Sequence, residues 1–179
     1  MGLVSIVMPV KNTALFLEEC LSAILNQTYI NWELLAVNDY SSDNSFEILE
    51  KYAEADKRIK VFNNNGKGII DALKLAYAKS SGIFITRMDS DDIMQPQKLE
   101  LMTADLKQNG KGNIALGLVK YFSKDGIGEG FSKYEAWLNG LTKKGNNFNE
   151  IYKECVVPSP CWMVGRENFE KCGGFNSDV

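Results

Sequence analysis

Short apolar segments alternate with segments of helical periodicity along most of this chain, and that order restricts the possible folds more than any other feature. We predict strands at residues 4–10, 32–37, 59–62 and 83–86, the last running on to Asp89. Between them, apolar side chains recur every three or four residues, as at Leu17, Leu21 and Ile24, which predicts helices. This alternation is typical of an α/β domain with a mainly parallel sheet and right-handed crossovers.

The second part of the chain is less regular. We predict a fifth strand at 114–122, preceded by a fourth helix with Pro96 in its first turn. Residues 123–154 are rich in Gly, Lys and Asn, and we interpret them as a long irregular insertion of the kind that often forms a substrate loop. Apolar character resumes at 158–164, and a short helix is predicted at 168–172, before Gly173 and Gly174.

Polar residues follow three of the predicted strands at the point where each strand ends. They are Lys11-Asn12 after the first strand, Asn38-Asp39 after the second and Asp89-Ser90-Asp91-Asp92 after the fourth. The carboxyl ends of parallel strands meet at one edge of a sheet, and ligands bind in the crevice there. The sequence therefore predicts one binding site built from these three clusters.

The last cluster places three carboxylates within four positions. Like charges this close repel one another and raise one another's pKa. A divalent cation would remove that penalty, and hard oxygen ligands suit Mg²⁺ or Mn²⁺. A metal site is one interpretation; a solvated acidic turn in front of a helix is the other.

Composition narrows the function classes. The net charge of −3 argues against nucleic acid as the main partner. The chain has no histidine, which excludes Ser-His-Asp and Cys-His catalysis and any histidine-ligated metal. No apolar run approaches the roughly 18 residues of a membrane span, and no secretory signal is evident. We expect a cytoplasmic protein with at most peripheral membrane association, at the inner face of the membrane.

Five segments, in order along the chain, resemble the family 2 glycosyltransferases of the GT-A fold. They are residues 5–12 (SIVMPVKN), 37–43 (VNDYSSD), Gly68-Ile69 with Ala72-Leu73, 87–92 (RMDSDD) followed by Pro96 and Lys98-Leu99, and 172–175 (CGGF). The resemblance implies a Rossmann-like, mostly parallel sheet flanked by helices, with the nucleotide site at the carboxyl ends of the strands. It also implies metal-assisted, inverting transfer of a sugar from a nucleotide-diphosphate sugar, expected to be a UDP-sugar, to an acceptor hydroxyl.

The resemblance also assigns residues to roles. The nucleotide-binding set would be Pro9, Val10, Asn12, Asp39, Gly68, Asp89 and Ser90. Asp39 would accept a hydrogen bond from the base, and Asp89 would lie near the ribose and the sugar. Asp91, with Asp89, would hold Mn²⁺ or Mg²⁺, and Asp92 would orient the donor sugar or the metal's waters. The expected partners are a nucleotide-sugar donor and a saccharide or lipid-linked acceptor, in cell-surface polysaccharide or glycolipid synthesis.

The chain departs from the family pattern at three places. Asn38 and Tyr40 stand where aspartate and glycine are common, which affects the expected shape of the base pocket. The Glu-Asp pair expected soon after Gly-Gly-Phe has no counterpart before Val179, where Asp178 is the sole candidate base. We therefore expect the general base beyond Val179 and a C-terminally truncated catalytic domain. Should the chain itself prove active, the base would be sought among Glu129, Glu135, Glu150 and Glu154.

These expectations divide the single domain into a nucleotide-sugar-binding half, 1–122, and the start of an acceptor-side region, 123–179. Two alternatives stay open. One is a nucleotide-sugar-binding fragment without catalytic activity. The other is a phosphotransferase resembling the haloacid dehalogenases, whose DxDx(T/V) motif residues 89–93 approach and in which Asp89 would be the nucleophile.

Overall fold

A mixed sheet of six strands forms the centre of the molecule within residues 2–176, the part of the chain that this computed structural model describes. The strand order is β3-β2-β1-β4-β6-β5. Neighbours among the first four strands in this order are parallel, and β6 runs antiparallel between β4 and β5. The strands span Val4–Val10 (β1), Trp32–Asn38 (β2), Ile59–Asn63 (β3), Phe84–Arg87 (β4), Ile114–Leu116 (β5) and Trp162–Gly165 (β6).

Helices cover both faces of the sheet. Helices α1, α2 and α4 pack on the face to which β1 contributes Ile6 and Met8, and α3 packs on the opposite face against Val7. Because both faces are covered, the parallel strands are nearly continuous apolar runs rather than alternating ones. The helices span Ala14–Leu25 (α1), Ser45–Ala55 (α2), Ile69–Ala78 (α3), Lys98–Asn109 (α4), Glu129–Lys144 (α5) and Arg166–Lys171 (α6).

The strand order contains a switch point at β1. The chain leaves β1 toward β2 and β3 on one side, then crosses over through α3 to β4 on the other side. The carboxyl ends of β1, β2 and β4 meet at one edge of the sheet around this switch point, which is where open α/β sheets bind ligands. The α/β class and the mainly parallel sheet predicted from the sequence are confirmed.

The region predicted to be an irregular insertion contains a long helix, so that prediction is wrong over residues 129–144. Leu138 is the one residue of α5 that is fully buried, although Phe131, Tyr134, Leu138 and Leu141 recur at the three- and four-residue spacing of a helix, a pattern that the prediction missed. Its end is well defined: Gly145 adopts a left-handed conformation with φ of +67°, and its N–H bonds back to Leu141 and Thr142.

Other boundaries also differ from the predictions. Strand β5 stops at Leu116, so residues 117–122 are not part of a strand, and α4 begins at Lys98, two residues after Pro96. The last described helix begins at Arg166 rather than at 168. Strand β6 comes from the predicted acceptor-side region yet lies inside the sheet, so both predicted parts share one core; their functional division stays a prediction. Within residues 2–176, no helix combines the length and the apolar composition needed to cross a membrane.

Candidate functional site

Residues 88–92, which we call the acidic loop, follow β4 at the switch point. Met88 and Ser90 are buried and anchor the loop, whereas Asp91 is exposed and the other two carboxylates are partly exposed. The Met88 N–H donates to the Val7 carbonyl (3.1 Å). The strand ends earlier than predicted, because the Asp92 N–H donates to the Asp89 carbonyl (3.2 Å) and closes a turn. The three carboxylates are thus presented at the carboxyl edge of the sheet.

Arg87, the last residue of β4, holds Asp89 in place. Its Nε and Nη2 lie 2.8 and 2.7 Å from the same oxygen, Oδ1 of Asp89. Both side chains are largely screened from solvent, which strengthens a charge-assisted pair of this kind. The pair leaves Oδ2 of Asp89 available for another ligand. Sequence reasoning did not assign Arg87 a role, because the ion pair depends on the turn that follows the strand.

The loop after β2 carries a buried carboxylate, that of Asp39, whose residue is only 3% exposed. Its Oδ1 accepts hydrogen bonds from Asn64 Nδ2 (2.7 Å) and the Gly68 N–H (3.1 Å), and its Oδ2 accepts one from Lys11 Nζ (3.2 Å). Burial would raise the pKa of Asp39, but the hydrogen bonds from Asn64, Lys11 and Gly68 outweigh it and hold that pKa below its usual range. Asp39 is therefore an ionised acceptor at neutral pH.

Gly68 is the predicted site residue whose identity the backbone explains best. Its φ is +85°, a left-handed conformation that side-chain-bearing residues rarely adopt. That conformation aims its N–H at Asp39 and starts α3. No neighbouring atom would obstruct a Cβ at this position, but the positive φ would strain the backbone of any larger residue and so weaken the hydrogen bond to Asp39.

Hydrogen bonds connect the loop after β1 to the loop after β2. Asn12 Oδ1 accepts hydrogen bonds from the Ser42 N–H (2.8 Å) and hydroxyl (3.3 Å), and the Asn12 N–H donates to Ser41 Oγ (3.1 Å). Asn12 and Tyr40 have positive φ values of 54° and 56°. The family's common glycine at the position of Tyr40 has a physical reason here, because the turn requires a left-handed residue.

The loop after β1 also contacts the acidic loop. Thr13 Oγ1 donates to Ser90 Oγ (2.9 Å), joining residues that are 77 positions apart. Ser90 is therefore a structural contact between the loops as well as a predicted ligand contact. The side chain of Val10 is fully buried in the core, and its carbonyl accepts from the Asp39 N–H (2.8 Å); its contact with a nucleotide stays a prediction. Pro9, beside it in β1, is partly exposed.

Lys98 lies close to the acidic loop. The resemblance to the family includes this lysine but assigns it no role. Its Nζ donates to the Pro160 carbonyl of the 3₁₀ turn Ser159–Cys161, which precedes β6. Burial lowers the pKa of Lys98 to about 8, whereas the nearby charge of Asp92 acts in the opposite direction. Burial, followed by the charges of Asp89 and Asp91, raises the pKa of Asp92. Lys98 thus connects the acidic loop with the second part of the chain.

The carboxylate oxygens of the acidic loop suit a hard divalent cation that a bound substrate also helps to coordinate. Burial, and then repulsion from Asp89 and Asp91, raises the pKa of Asp92, and a cation would relieve that repulsion. No group of three or more Cys, Asp or Glu residues within the described range 2–176 is placed to hold an ion by itself. Mg²⁺ is commonly bound by one or two carboxylates together with substrate phosphates, and Asp91 with Oδ2 of Asp89 could supply that share.

The alternative base candidates are engaged elsewhere. Glu129, Glu135 and Glu150 form ion pairs with Lys133, Lys120 and Lys153, respectively. Glu154 accepts a hydrogen bond from the Cys155 N–H (2.9 Å). Asp178 lies outside the described residues, so its assignment stays a prediction.

Sequence reasoning missed several partners of the site: Lys11 as an ion-pair partner, Asn64, Thr13 and Lys98. A signal existed for Lys11, Thr13 and Asn64, because the loops after β1 and β3 also lie at the carboxyl edge of the sheet and carry polar residues. The contact of Lys98 depends on packing between distant segments.

Fold and site together define the class of protein. A mainly parallel sheet with polar and acidic loops around its switch point is the arrangement of nucleotide-binding α/β domains. Comparison with known families then gives the particular family: the model of Glycosyl transferase family 2 matches residues 5–173, and the chain belongs to this family. This agrees with the resemblance in the five sequence segments, and it favours glycosyl transfer over the phosphotransferase alternative.

Three known proteins illustrate the similarity. The "UDP-Glc:alpha-D-GlcNAc-diphosphoundecaprenol beta-1,3-glucosyltransferase WfgD" of Escherichia coli is 43% identical over 109 residues, which are 60% of this chain and 42% of WfgD. S. aureus TarS 1–349 in complex with UDP gives a TM-score of 0.71 at 19% identity, covering 97% of this chain and 49% of TarS. The mannosyltransferase PcManGT of Pyrobaculum calidifontis, in complex with GDP-Man and Mn²⁺, also gives 0.71 at 19% identity, covering 98% and 48%.

The two solved structures show that the fold is of the GT-A type. The chain spans less than half the length of the curated relatives that it matches.

Proposed function

We propose that this chain forms the nucleotide-sugar site of a glycosyltransferase that moves a sugar from a UDP-sugar to an acceptor hydroxyl, with inversion and with the assistance of a divalent metal. The observation that carries the proposal is the pairing of two features at one edge of the sheet. Asp39 is a buried, ionised acceptor, and the acidic loop presents its carboxylates across β1 from it. A hydrogen-bonding base and a charged diphosphate are the two parts of a nucleotide-sugar that such a pair would bind.

Asp39 would recognise the base. Its Oδ1 is already occupied by Asn64 and Gly68, which fixes the carboxylate in one orientation. Its Oδ2 contacts Lys11, whose side chain is 57% exposed. A base N–H would approach Oδ2 when Lys11 swings outward, and the lysine would then be placed to contact a phosphate.

Asp91 and Asp89 would hold the metal, Mn²⁺ or Mg²⁺, together with phosphate oxygens of the donor. When bound, the metal would act as a Lewis acid and offset the negative charge that develops on the leaving diphosphate. The ion pair with Arg87 orients Asp89, and the contact between Thr13 and Ser90 fixes the loop. PcManGT, a fold neighbour, was solved with GDP-Man and Mn²⁺, which supports a metal-dependent donor site of this kind.

The proposed donor and acceptor classes rest on relatives. TarS was solved with UDP and with UDP-GlcNAc, and the name of WfgD specifies UDP-Glc and a diphosphoundecaprenol acceptor. Attack by an acceptor hydroxyl from the face opposite the leaving diphosphate inverts the anomeric carbon, and a carboxylate would take the hydroxyl proton. We place this reaction in the cytoplasm, with a saccharide or lipid-linked acceptor.

Calorimetric titration with UDP, with and without Mn²⁺, tests the proposal. We expect UDP to bind more tightly with Mn²⁺ than without it, since phosphate oxygens complete the coordination shell. Asp91→Asn should abolish the gain from Mn²⁺ and leave the metal-free affinity nearly unchanged. The matched control is Glu54→Gln, which also removes one negative charge. Glu54 is exposed and lies at the C-terminal end of α2, away from the acidic loop. A Mn²⁺ effect of undiminished size in Asp91→Asn would show that the metal assignment is wrong.

A further inference from the structure

A cavity of about 490 Å³ opens between α4 and the segment 115–122 that follows it. Buried methionines, including Met94 and Met102, line it, while Leu101, Leu118 and Phe122 line its open side. Those last three side chains are 66%, 52% and 63% exposed. Single exposed apolar residues are common on protein surfaces, but several around one cavity indicate a binding site.

The lining has the properties of a site for a flexible apolar chain. Methionine side chains are unbranched and polarisable, so they adapt to ligands of variable shape. The volume lies within the range of about 300–1,000 Å³ that is typical of pockets for small molecules.

One end of the cavity is charged. Asp92 of the acidic loop and Lys98 both line it, so the cavity is continuous with the candidate site. Asp39, in contrast, lies after β2, on the other side of β1 and β4 from the cavity beside β5. The base of a nucleotide bound at Asp39 would therefore point away from the cavity, which leaves the cavity for the other substrate.

We propose that this cavity binds the hydrocarbon chain of an amphiphilic acceptor, in which a sugar is joined to an apolar chain. The polar head of the acceptor would meet the acidic loop at Asp92, and the chain would lie along α4 against Met102 and Leu101. The inference rests on the proposed function, because it assigns the acceptor class of the same site. The charge at one end and the apolar wall along the remainder match the two parts of such a molecule.

The test is calorimetric titration of the full chain, with UDP and Mn²⁺ present, using octyl β-D-glucoside below its micelle concentration as the probe and glucose as its chain-free counterpart. We expect the glucoside to bind and glucose to bind much more weakly. Leu101→Glu and Phe122→Glu should each weaken glucoside binding by about tenfold or more, since they place a charge in the path of the chain. The matched control is Leu15→Glu on α1, whose side chain is 92% exposed and lies outside the cavity.

Equal glucoside affinity in Leu101→Glu and Leu15→Glu would overturn the inference, as would equal binding of glucoside and glucose. A dimer that forms as the protein concentration rises and is lost in Leu101→Glu would assign the cavity to a second copy of the chain. That result would also overturn the inference. Titration with UDP on the same samples separates the two proposals. Failure to bind UDP refutes the proposed function, whereas binding of UDP without the glucoside refutes the acceptor site alone. Because both rim positions are exposed, the circular dichroism melts of the variants should match that of the wild type.

Discussion

At Asp39, burial and hydrogen bonding act in opposite directions on one carboxylate. Burial disfavours its charge, and three donors from two loops restore it: Lys11 after β1, and Asn64 and the N–H of Gly68 between β3 and α3. The charge is therefore held in a fixed orientation before any ligand arrives, and binding does not have to order it. A base N–H would gain a strong acceptor that is already oriented, once Lys11 moves away from Oδ2.

Replacing Asp39 by alanine should weaken UDP binding by about 1–3 kcal/mol, the usual effect of removing a charged hydrogen-bond acceptor. The loss should be the same with and without Mn²⁺, because Asp39 lies apart from the acidic loop. Calorimetry with and without the metal measures both values. A loss that appears only with Mn²⁺ would instead assign Asp39 to the metal site.

Tyr40 is a residue whose backbone conformation does not suit its side chain. Its φ of 56° costs a residue with a Cβ about 1–2 kcal/mol, and glycine avoids that strain at the expense of greater freedom in the unfolded chain. We expect Tyr40→Gly to raise the free energy of unfolding by about 0.5 kcal/mol in urea titrations. Tyr152→Gly is the matched control, since Tyr152 is fully exposed and has no positive φ, and it should give no gain.

At the scale of elements, one side chain caps two helices. Asp43 Oδ2 accepts from the Ala14 N–H at the start of α1 (3.0 Å), and its Oδ1 accepts from the Ser45 N–H at the start of α2 (3.0 Å). Ser45 Oγ adds a hydrogen bond from the Thr13 N–H (2.9 Å). Thr13, the N-cap residue of α1, makes no capping hydrogen bond with its own side chain, so the cap comes from a different loop.

Asp43→Ala should lower the free energy of unfolding by about 1–2 kcal/mol, the upper part of the range for a lost helix cap, because two helix ends lose their acceptor at once. Urea denaturation followed by circular dichroism measures it. Glu54→Ala, on the exposed end of α2, serves as the control and should stay within about 0.5 kcal/mol of the wild type. Equal stability of the two variants would show that water replaces the caps.

At the scale of the whole molecule, Glu33 connects elements that are distant in sequence, at the edge of the sheet opposite the site. Its carboxylate accepts from Ser5 Oγ (2.7 Å) in β1, Lys60 Nζ (2.7 Å) in β3 and the Ser81 N–H (2.6 Å) before β4. The residue is 5% exposed. Burial alone would raise the pKa of Glu33, but the hydrogen bonds from Lys60, Ser81 and Ser5 lower it to about 2.

This shift predicts how stability depends on pH. The folded pKa of about 2 lies below the ordinary value of 4.5, so Glu33 stabilises the fold above about pH 4.5 and loses that effect as the pH falls toward 2. The full contribution is on the order of 3 kcal/mol. Urea titrations across pH 2–6 should show a steeper loss of stability for the wild type than for Glu33→Gln. Parallel pH profiles for the two proteins would contradict the prediction.

Much of the architecture could be predicted from local patterns. Apolar runs and helical spacing extend over only a few residues, and they were enough for β1 to β4 and the helices between them. Parallel topology then required the loops after β1, β2 and β4 to meet at one edge, so Asp39 and the acidic loop could be assigned to one site. Helix α5 was missed although Phe131, Tyr134, Leu138 and Leu141 recur at helical spacing, because the Gly, Lys and Asn residues around them favoured a loop.

The sequence by itself determined the fold class, the family and the carboxylates of the site, since these depend on residue type and on order along the chain. Tertiary structure alone decided the partners of those carboxylates. Asn64 reaches Asp39 across 25 positions, Lys98 reaches Pro160 across 62 and Thr13 reaches Ser90 across 77. The physical reason is that side-chain contacts over such separations are set by how strands and helices pack, and local sequence patterns carry no information about that packing.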